Sequence, residues 1–281
     1  MTAIQALVTG ATGKTGRRVS TLLRQDGHAV REGSRRSETP FDWTLPGTWS
    51  SALADVEAVY LVVPDVTDPA VPEQFARFGQ AAVEAGVTRA TLLSIPLSDG
   101  EPASTVAAED ALRGSGLGLT IVRLRWFNQN FSEDFLAPAV QAGDLRLPAG
   151  IGREAFVDAD DIAEVVAATL TDPAHVDKDY ELTGPRLLSF ADVAAEITSA
   201  TGRTVTYTPL SAEDYVAEQI AAGVPNEWAT LSADLYQGIA SGELETTTTD
   251  VEAILGRPAR DFTDYATAAA AGGALTADHQ D

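Results

Sequence analysis

Short apolar runs alternate with amphipathic stretches over the first part of the chain. Residues 3–9 predict a strand, and over 14–26 Val19, Leu22 and Leu23 recur at helical spacing until Gly27 stops the pattern. A second strand is expected at about 28–33 and a weak third around Phe41 to Trp43. "VEAVYLVVP" is a nearly continuous apolar run, the pattern of a strand buried on both faces of a parallel sheet, and Pro64 ends it. "PAVPEQFARFGQAAVEAG" carries Val71, Phe75, Phe78 and Ala82 down one helical face and closes at Gly86, and "TRATLLS" follows as a strand. A helix over about 105–113, the turn "GSGLG" and the strand "LTIVRL" repeat the unit. These six strands with intervening helices predict a doubly wound parallel α/β sheet, because parallel neighbours need crossovers and right-handed crossovers place helices on both faces.

After about residue 124 the rhythm loosens. "RWFNQNFSEDF" mixes aromatics with amides, "REAFVDADDIAEVVAATL" predicts a strand entering a capped helix, and "YELTGP" a further strand. "SFADVAAEITSATG" is expected as a helix, "TVTYTP" as a strand, and the stretch to about Leu255 as mainly helical, with Thr249 and Asp250 as a cap. "AGGALTADHQD" reads as a frayed tail. No proline-rich or low-complexity linker divides these parts.

Composition narrows the chemistry. The 281 residues are 44% hydrophobic, so the formal charge of −22 sits on a globular chain. That charge repels phosphate backbones and anionic membrane surfaces and mildly attracts small cations, which argues against nucleic acid and membranes as partners. There is no cysteine, and the three histidines, His28, His175 and His279, are scattered, so no metal is expected. The first residues run into a strand without a basic leader or long apolar segment, and the chain reads as cytoplasmic.

The candidate chemistry starts at "VTGATGKTGRRV". Gly10, Gly13 and Gly16 follow the first strand and open the first helix, where glycine lets the backbone turn sharply and approach a ligand. Exposed N–H groups and the helix dipole favour an anion there, such as a pyrophosphate held by the loop from Gly10 through Thr12, Gly13, Lys14 and Thr15 to Gly16, with Lys14 adding a positive charge. A site for NAD usually carries an acidic side chain at the end of the second strand, whereas a ribose 2′-phosphate needs cations. Here "VREGSRRSE" places Ser34, Arg35 and Arg36 at that end, so NADP(H) is expected; Glu32 would be the acidic residue were the strand to end earlier.

These segments resemble the NmrA-like family, an atypical branch of the short-chain dehydrogenases/reductases. The likeness rests on "VTGATGKTG", "VREGSRR", "AVYLVVP" and "AGVTRATLLS". It continues through "AEDALRGSGLGLTIVRLRWFNQNF", "AFVDADDIAEVVAATLTDP", "YELTGPRLLSFADVAAEITSATGR" and "GRPARDF". Within the family, bacterial relatives of the festuclavine-type ergot-alkaloid reductases and the NADPH-dependent quinone and triphenylmethane-dye reductases are most similar in style. The resemblance implies a Rossmann domain that binds NADP(H), with the nicotinamide end lined by Val62, Val63, Pro64, Ser94, Ile95 and the segment Arg125–Phe127. The expected organisation is a coenzyme domain over 1–150 and a smaller, mainly helical substrate lobe over 151–281, with sheet-completing segments at about 153–184.

One departure bears on mechanism. Typical members of the superfamily use a Tyr-x-x-x-Lys pair to exchange a proton with a carbonyl. None exists here: the only lysines are Lys14 and Lys178, and the corresponding helix reads "STVAAEDALR". An electron-poor conjugated acceptor, such as a quinone, an iminium or an unsaturated carbonyl, needs little beyond alignment and exclusion of water. The same absence suits a non-catalytic redox sensor that binds a protein partner, or an isomerase or cyclase that retains its coenzyme.

For a reductase, Trp126, Phe127 and Phe131 would wall the small-molecule substrate, Asn128 and Asn130 would orient its polar groups, and Ser94 could bond a reacting oxygen. Trp228 and Tyr236 would close from the second lobe. The alternative for these aromatics is packing. Glu109, which matches a recurrent glutamate of the family, and Asp110 are expected to be solvated, and the aspartates of "DADDIAE" to start a helix.

Overall fold

The computed structural model describes residues 3–63, 65–97 and 103–276 and divides into two compact units that interleave along the chain. The first begins with β1 (Gln5–Thr9), α1 (Lys14–Gln25), β2 (Ala29–Gly33), α2 (Trp49–Leu53) and β3 (Ala58–Leu61). It continues with α3 (Val71–Glu84), β4 (Arg89–Ser94), α4 (Ala103–Gly114) and β5 (Gly118–Arg123). The second unit opens with α5 (Asn130–Glu133), α6 (Ala137–Ala142), β6 (Asp144–Leu147) and β7 (Arg153–Glu154). The chain returns to the first for α7 (Ala159–Thr171) and β8 (Asp179–Glu181), then to the second for β9 (Leu188–Ser189), α8 (Phe190–Thr201), β10 (Thr206–Pro209), α9 (Ala212–Ala221) and α10 (Asn226–Ala240). Finally α11 (Asp250–Leu255) belongs to the first unit and α12 (Phe262–Ala271) to the second. The expected boundary at residue 150 falls inside the second unit, which begins at Trp126.

In the first unit six parallel strands run in the order β2-β1-β3-β4-β5-β8. The order reverses at β1, which pairs with β2 on one side and β3 on the other, and the crevice outside the carboxyl ends at such a reversal is where open α/β sheets take ligands. The weak strand expected at Phe41 to Trp43 is absent. Phe41 and Trp43 are buried in a loop, their rings against Phe75 and Phe78, and the Trp43 indole donates to the Val62 carbonyl at 2.9 Å. The sixth strand is β8, drawn from "YELTGP" and paired with β5.

The second unit holds two two-stranded pieces, β10 with β6 and β7 with β9, so its core is filled mostly by rings and helix faces. Phe131, Phe156, Phe190 and Phe262 pack edge-on or tilted, 5.3–6.2 Å apart. Helix α12 lay beyond the expected helices; Asp261 caps it, accepting from the Thr263 N–H at 2.9 Å. The Arg186 guanidinium, bonded to both Asp261 oxygens at 2.7 and 2.6 Å, lowers that carboxyl to about 2. The tail is tied down at its start, since Leu275 is buried in the core, while residues 277–281 lie outside the described residues. No helix among the described residues is long and apolar enough to cross a membrane.

Candidate functional site

The glycine loop leaves β1 at the sheet's reversal. Gly10 takes a left-handed φ of 61°, donates to the Gly33 carbonyl at 3.1 Å and accepts from the Gly13 N–H at 2.9 Å. A Cβ on Gly10 would press on Val62 at 3.3 Å, and one on Gly16 would lie 2.2 Å from the Gly10 carbonyl oxygen. Only glycine permits this closeness of loop and helix. Helix α1 starts with no side-chain cap and no acidic residue in its first turn, so its N-terminal donors and dipole suit an anion. Thr12 and Gly13 are exposed and Lys14 half-buried. Thr15 is buried, and its hydroxyl accepts from the Tyr60 hydroxyl at 3.0 Å beneath the loop. Burial pushes the Tyr60 phenol well above its ordinary range, so it stays a neutral donor.

At the next strand end the position of Glu32 becomes clear. β2 runs through Gly33, and Glu32 lies within it with its carboxylate on Arg24 at 2.8 Å. Ser34, Arg35 and Arg36 follow the strand. The Ser34 carbonyl accepts from the Phe41 N–H and the Ser37 hydroxyl, both at 2.9 Å, which fixes the turn. Both arginine side chains are exposed. Nearby, hydrogen bonds from the Thr44 hydroxyl and N–H hold the Asp42 carboxyl below its usual range, with Arg35 adding a smaller pull.

Val62 and Val63 leave β3 half-buried, Ile95 leaves β4 half-buried, and Pro64 lies outside the described residues. Ser94, the last residue of β4, is buried and donates its hydroxyl to Glu109 Oε1 at 2.7 Å. A carboxylate can only accept, so this serine has no proton left to offer a reacting oxygen. The expectation that Glu109 is solvated fails: it is 3% exposed, and the Arg123 guanidinium sits on its other oxygen. Arg123 also reaches Asp179 of β8 at 2.8 Å, which Arg113 holds at 2.5 Å. Asp110 is exposed. Arg125, half-buried, faces Glu181 at 3.5 Å.

The aromatic wall is largely core. Trp126 is buried against Phe190 and Tyr236, Phe131 is fully buried among phenylalanines, and Tyr236 packs on Trp126 at 5.2 Å. Phe127 is half-buried and Asn130 buried. Asn128, fully buried, donates to Asp158 at 3.2 Å, as Gln129 does at 3.1 Å. Asn128 Oδ1 has no hydrogen-bond partner among the described residues. Trp228 is 60% exposed, whereas Tyr236 is buried. The aspartates of "DADDIAE" take separate roles: Asp158 holds the two amides, Asp160 pairs with Arg18 at 2.7 Å, and Asp161 with Arg257 at 2.8 Å. No group of three metal-ligating side chains occurs among the described residues.

A model of the NmrA-like family matches residues 42–266. The chain belongs to the NmrA-like family. Agroclavine dehydrogenase of Claviceps fusiformis is 31% identical over 276 residues, 92% of this chain and 95% of its own length. NAD(P)H azoreductase of Xenophilus azovorans is 32% identical over 285 residues, 94% of this chain and 98% of its own. The NADPH-dependent quinone oxidoreductase of Escherichia coli, solved in complex with NADPH, superposes with a TM-score of 0.75 at 26% identity, covering 94% of this chain and 99% of that one.

Within this NmrA-like chain several residues of consequence have partners that no motif announces. Glu109, Arg123 and Asp179 join only through tertiary pairing, and Asp158 and Gln129 were hidden in segments read as cap and wall. Phe135, 55% exposed with its ring 6.0 Å from Trp126, presents apolar surface that the acidic run "SEDF" concealed.

Proposed function

We propose that this protein is an NADPH-dependent reductase of small, electron-poor conjugated acceptors. The observation that carries the reading is the pairing of an uncapped glycine cradle at the sheet's reversal with Ser34, Arg35 and Arg36 just beyond β2. The backbone of Gly10 to Gly16 would hold the coenzyme's diphosphate, with Lys14 adding charge. Ser34 and Arg35 would take the ribose 2′-phosphate, and Val62, Val63 and Ile95 would offer apolar surface to the nicotinamide end. When bound, NADPH supplies a hydride.

The chain's own contribution is alignment and dryness. No Tyr-x-x-x-Lys pair exists, and the Ser94 proton is committed to Glu109, so acceptors that need a strong proton donor suit this chain poorly. Quinones, iminium ions and unsaturated carbonyls fit that limit, and the azoreductase and clavine-dehydrogenase names of the relatives support the general class. Within the second unit, Phe135 and Phe127 offer the accessible aromatic surface, and Trp126, Phe131 and Tyr236 support it from the core.

Two measurements test the reading. NADPH should bind at least about tenfold more tightly than NADH in a fluorescence titration, a difference of about 1.4 kcal/mol, and Arg35→Ala should bring the two within roughly threefold. Equal affinities in the unaltered protein would refute the 2′-phosphate assignment. NADPH absorbance followed against a panel of quinones, cyclic imines and cationic dyes should show steady oxidation; tight coenzyme binding with no turnover on any acceptor would instead favour a sensor.

A further inference from the structure

One exposed feature of the second unit is not used by the fold. Along α10, Trp228, Leu231 and Leu235 are 60%, 48% and 55% exposed. Their i, i+3, i+7 spacing puts them on one face, while Ala229, Ala233, Tyr236 and Ile239 bury the other. Glu227 and Asp234, four positions before and three after Leu231, run along one edge of the stripe, both exposed and neither in an ion pair among the described residues. The chain around it is rich in acid: between Arg203 and Arg257 there is no lysine, arginine or histidine, against nine carboxylates, of which Arg146 pairs Glu218 and Arg153 pairs Glu245.

From this juxtaposition we propose that the Trp228–Leu231–Leu235 face of α10 is a capture site for flat aromatic cations. The face of an indole attracts a delocalised positive charge more strongly than any other side chain ring, and two carboxylates along one edge of the stripe add to that attraction. Seven residues at a helical rise of 1.5 Å separate Trp228 from Leu235 by about 10 Å, roughly the length of a three-ring arene. Three side chains fall well short of the ~800 Å² per partner that a stable protein interface buries, which argues against a macromolecule. A second copy would set Glu227 and Asp234 against their own equivalents on a chain already at −22.

The inference deepens the reductase reading by naming an acceptor class, and it rests on that reading only for turnover. A monocation that takes up hydride from the reduced coenzyme becomes neutral while the coenzyme is oxidised, with no separate proton consumed. The neutral product is no longer held by the carboxylates, so one charge pattern favours capture and release in turn.

The test is equilibrium binding to the full-length protein without coenzyme, using proflavine as the cationic three-ring probe and anthracene-2-sulfonate as its anionic counterpart. Proflavine is expected to bind at least tenfold more tightly, and to weaken at least fivefold with Trp228→Ala and with the Glu227→Gln/Asp234→Asn pair. Binding indifferent to Trp228 overturns the proposal, as does binding that needs Trp228 but ignores the carboxylates, since the face would then take neutral arenes. Sedimentation showing a dimer that Leu231→Asp dissociates overturns it in favour of a second copy, and a tenfold preference for a basic amphipathic peptide over its sequence-scrambled version overturns it in favour of a helix. Trp228-dependent capture of proflavine by a protein that oxidises NADPH on none of the acceptors in the panel would sink the reductase reading alone. Turnover by a protein whose proflavine affinity ignores Trp228 would sink the capture site alone.

Discussion

Gly16→Ala is expected to lower NADPH affinity at least a hundredfold, about 2.7 kcal/mol. The added Cβ would sit 2.2 Å from the Gly10 carbonyl oxygen, 2.8 Å from its carbon and 2.9 Å from Ala11 Cα. All three are backbone atoms, so no side-chain rotation relieves the clash, and the loop must move off the start of α1. That movement disperses the donors that make the anion cradle and loosens the Gly13 N–H to Gly10 carbonyl bond. Gly27→Ala is the control. Gly27 has a φ of 83° and open space around its would-be Cβ, so alanine there costs about 1–2 kcal/mol of backbone strain and leaves the cradle intact. NADPH fluorescence titration with parallel thermal melts separates the two effects. Near-normal NADPH affinity in folded Gly16→Ala would show that the cradle is not where the diphosphate binds.

The contrast between these two glycines marks what a sequence can carry. Gly10, Gly13 and Gly16 were legible because the constraint is local: strand, turn and helix start within one short segment, and the spacing encodes the close approach. Alternation at Phe41 to Trp43 was ambiguous, because rings that plug a core from a loop give the same pattern as a strand; only their hydrogen bonds, which go to Ser34 and Val62, distinguish them. The aromatic segment was legible in kind but not in direction. Trp228 and Tyr236 are eight residues apart, which on a helix leaves them about 80° out of line, enough to put one in solvent and the other in the core. Trp126 and Phe131 went inward because a unit with only two-stranded sheets has little else to fill its centre. Glu109 looks solvated in the sequence because its partners are remote: Arg123 lies 14 residues on, and Arg123 in turn reaches 56 residues further to Asp179. A glutamate on a polar helix face looks solvated until the strand that pairs with it is known.

That remote pairing gives the second large effect. Glu109→Leu is expected to destabilise the protein by about 3–5 kcal/mol, read as a lower urea midpoint, because it leaves the Arg123 charge buried with one carboxylate where there were two. Arg123 is 9% exposed, and its Nε already has no acceptor among the described residues, so it cannot turn to a new partner without leaving the core. Adding Arg123→Met to Glu109→Leu should recover most of the loss, since matched apolar side chains replace a buried pair at little cost. Asp179 tolerates that change because Arg113 still holds it at 2.5 Å. The recovery separates charge from shape: if Glu109 mattered only as a packed side chain, leucine alone would be tolerated and the second substitution would add damage. A single variant within 1 kcal/mol of the parent would therefore show that Arg123 is solvated in practice.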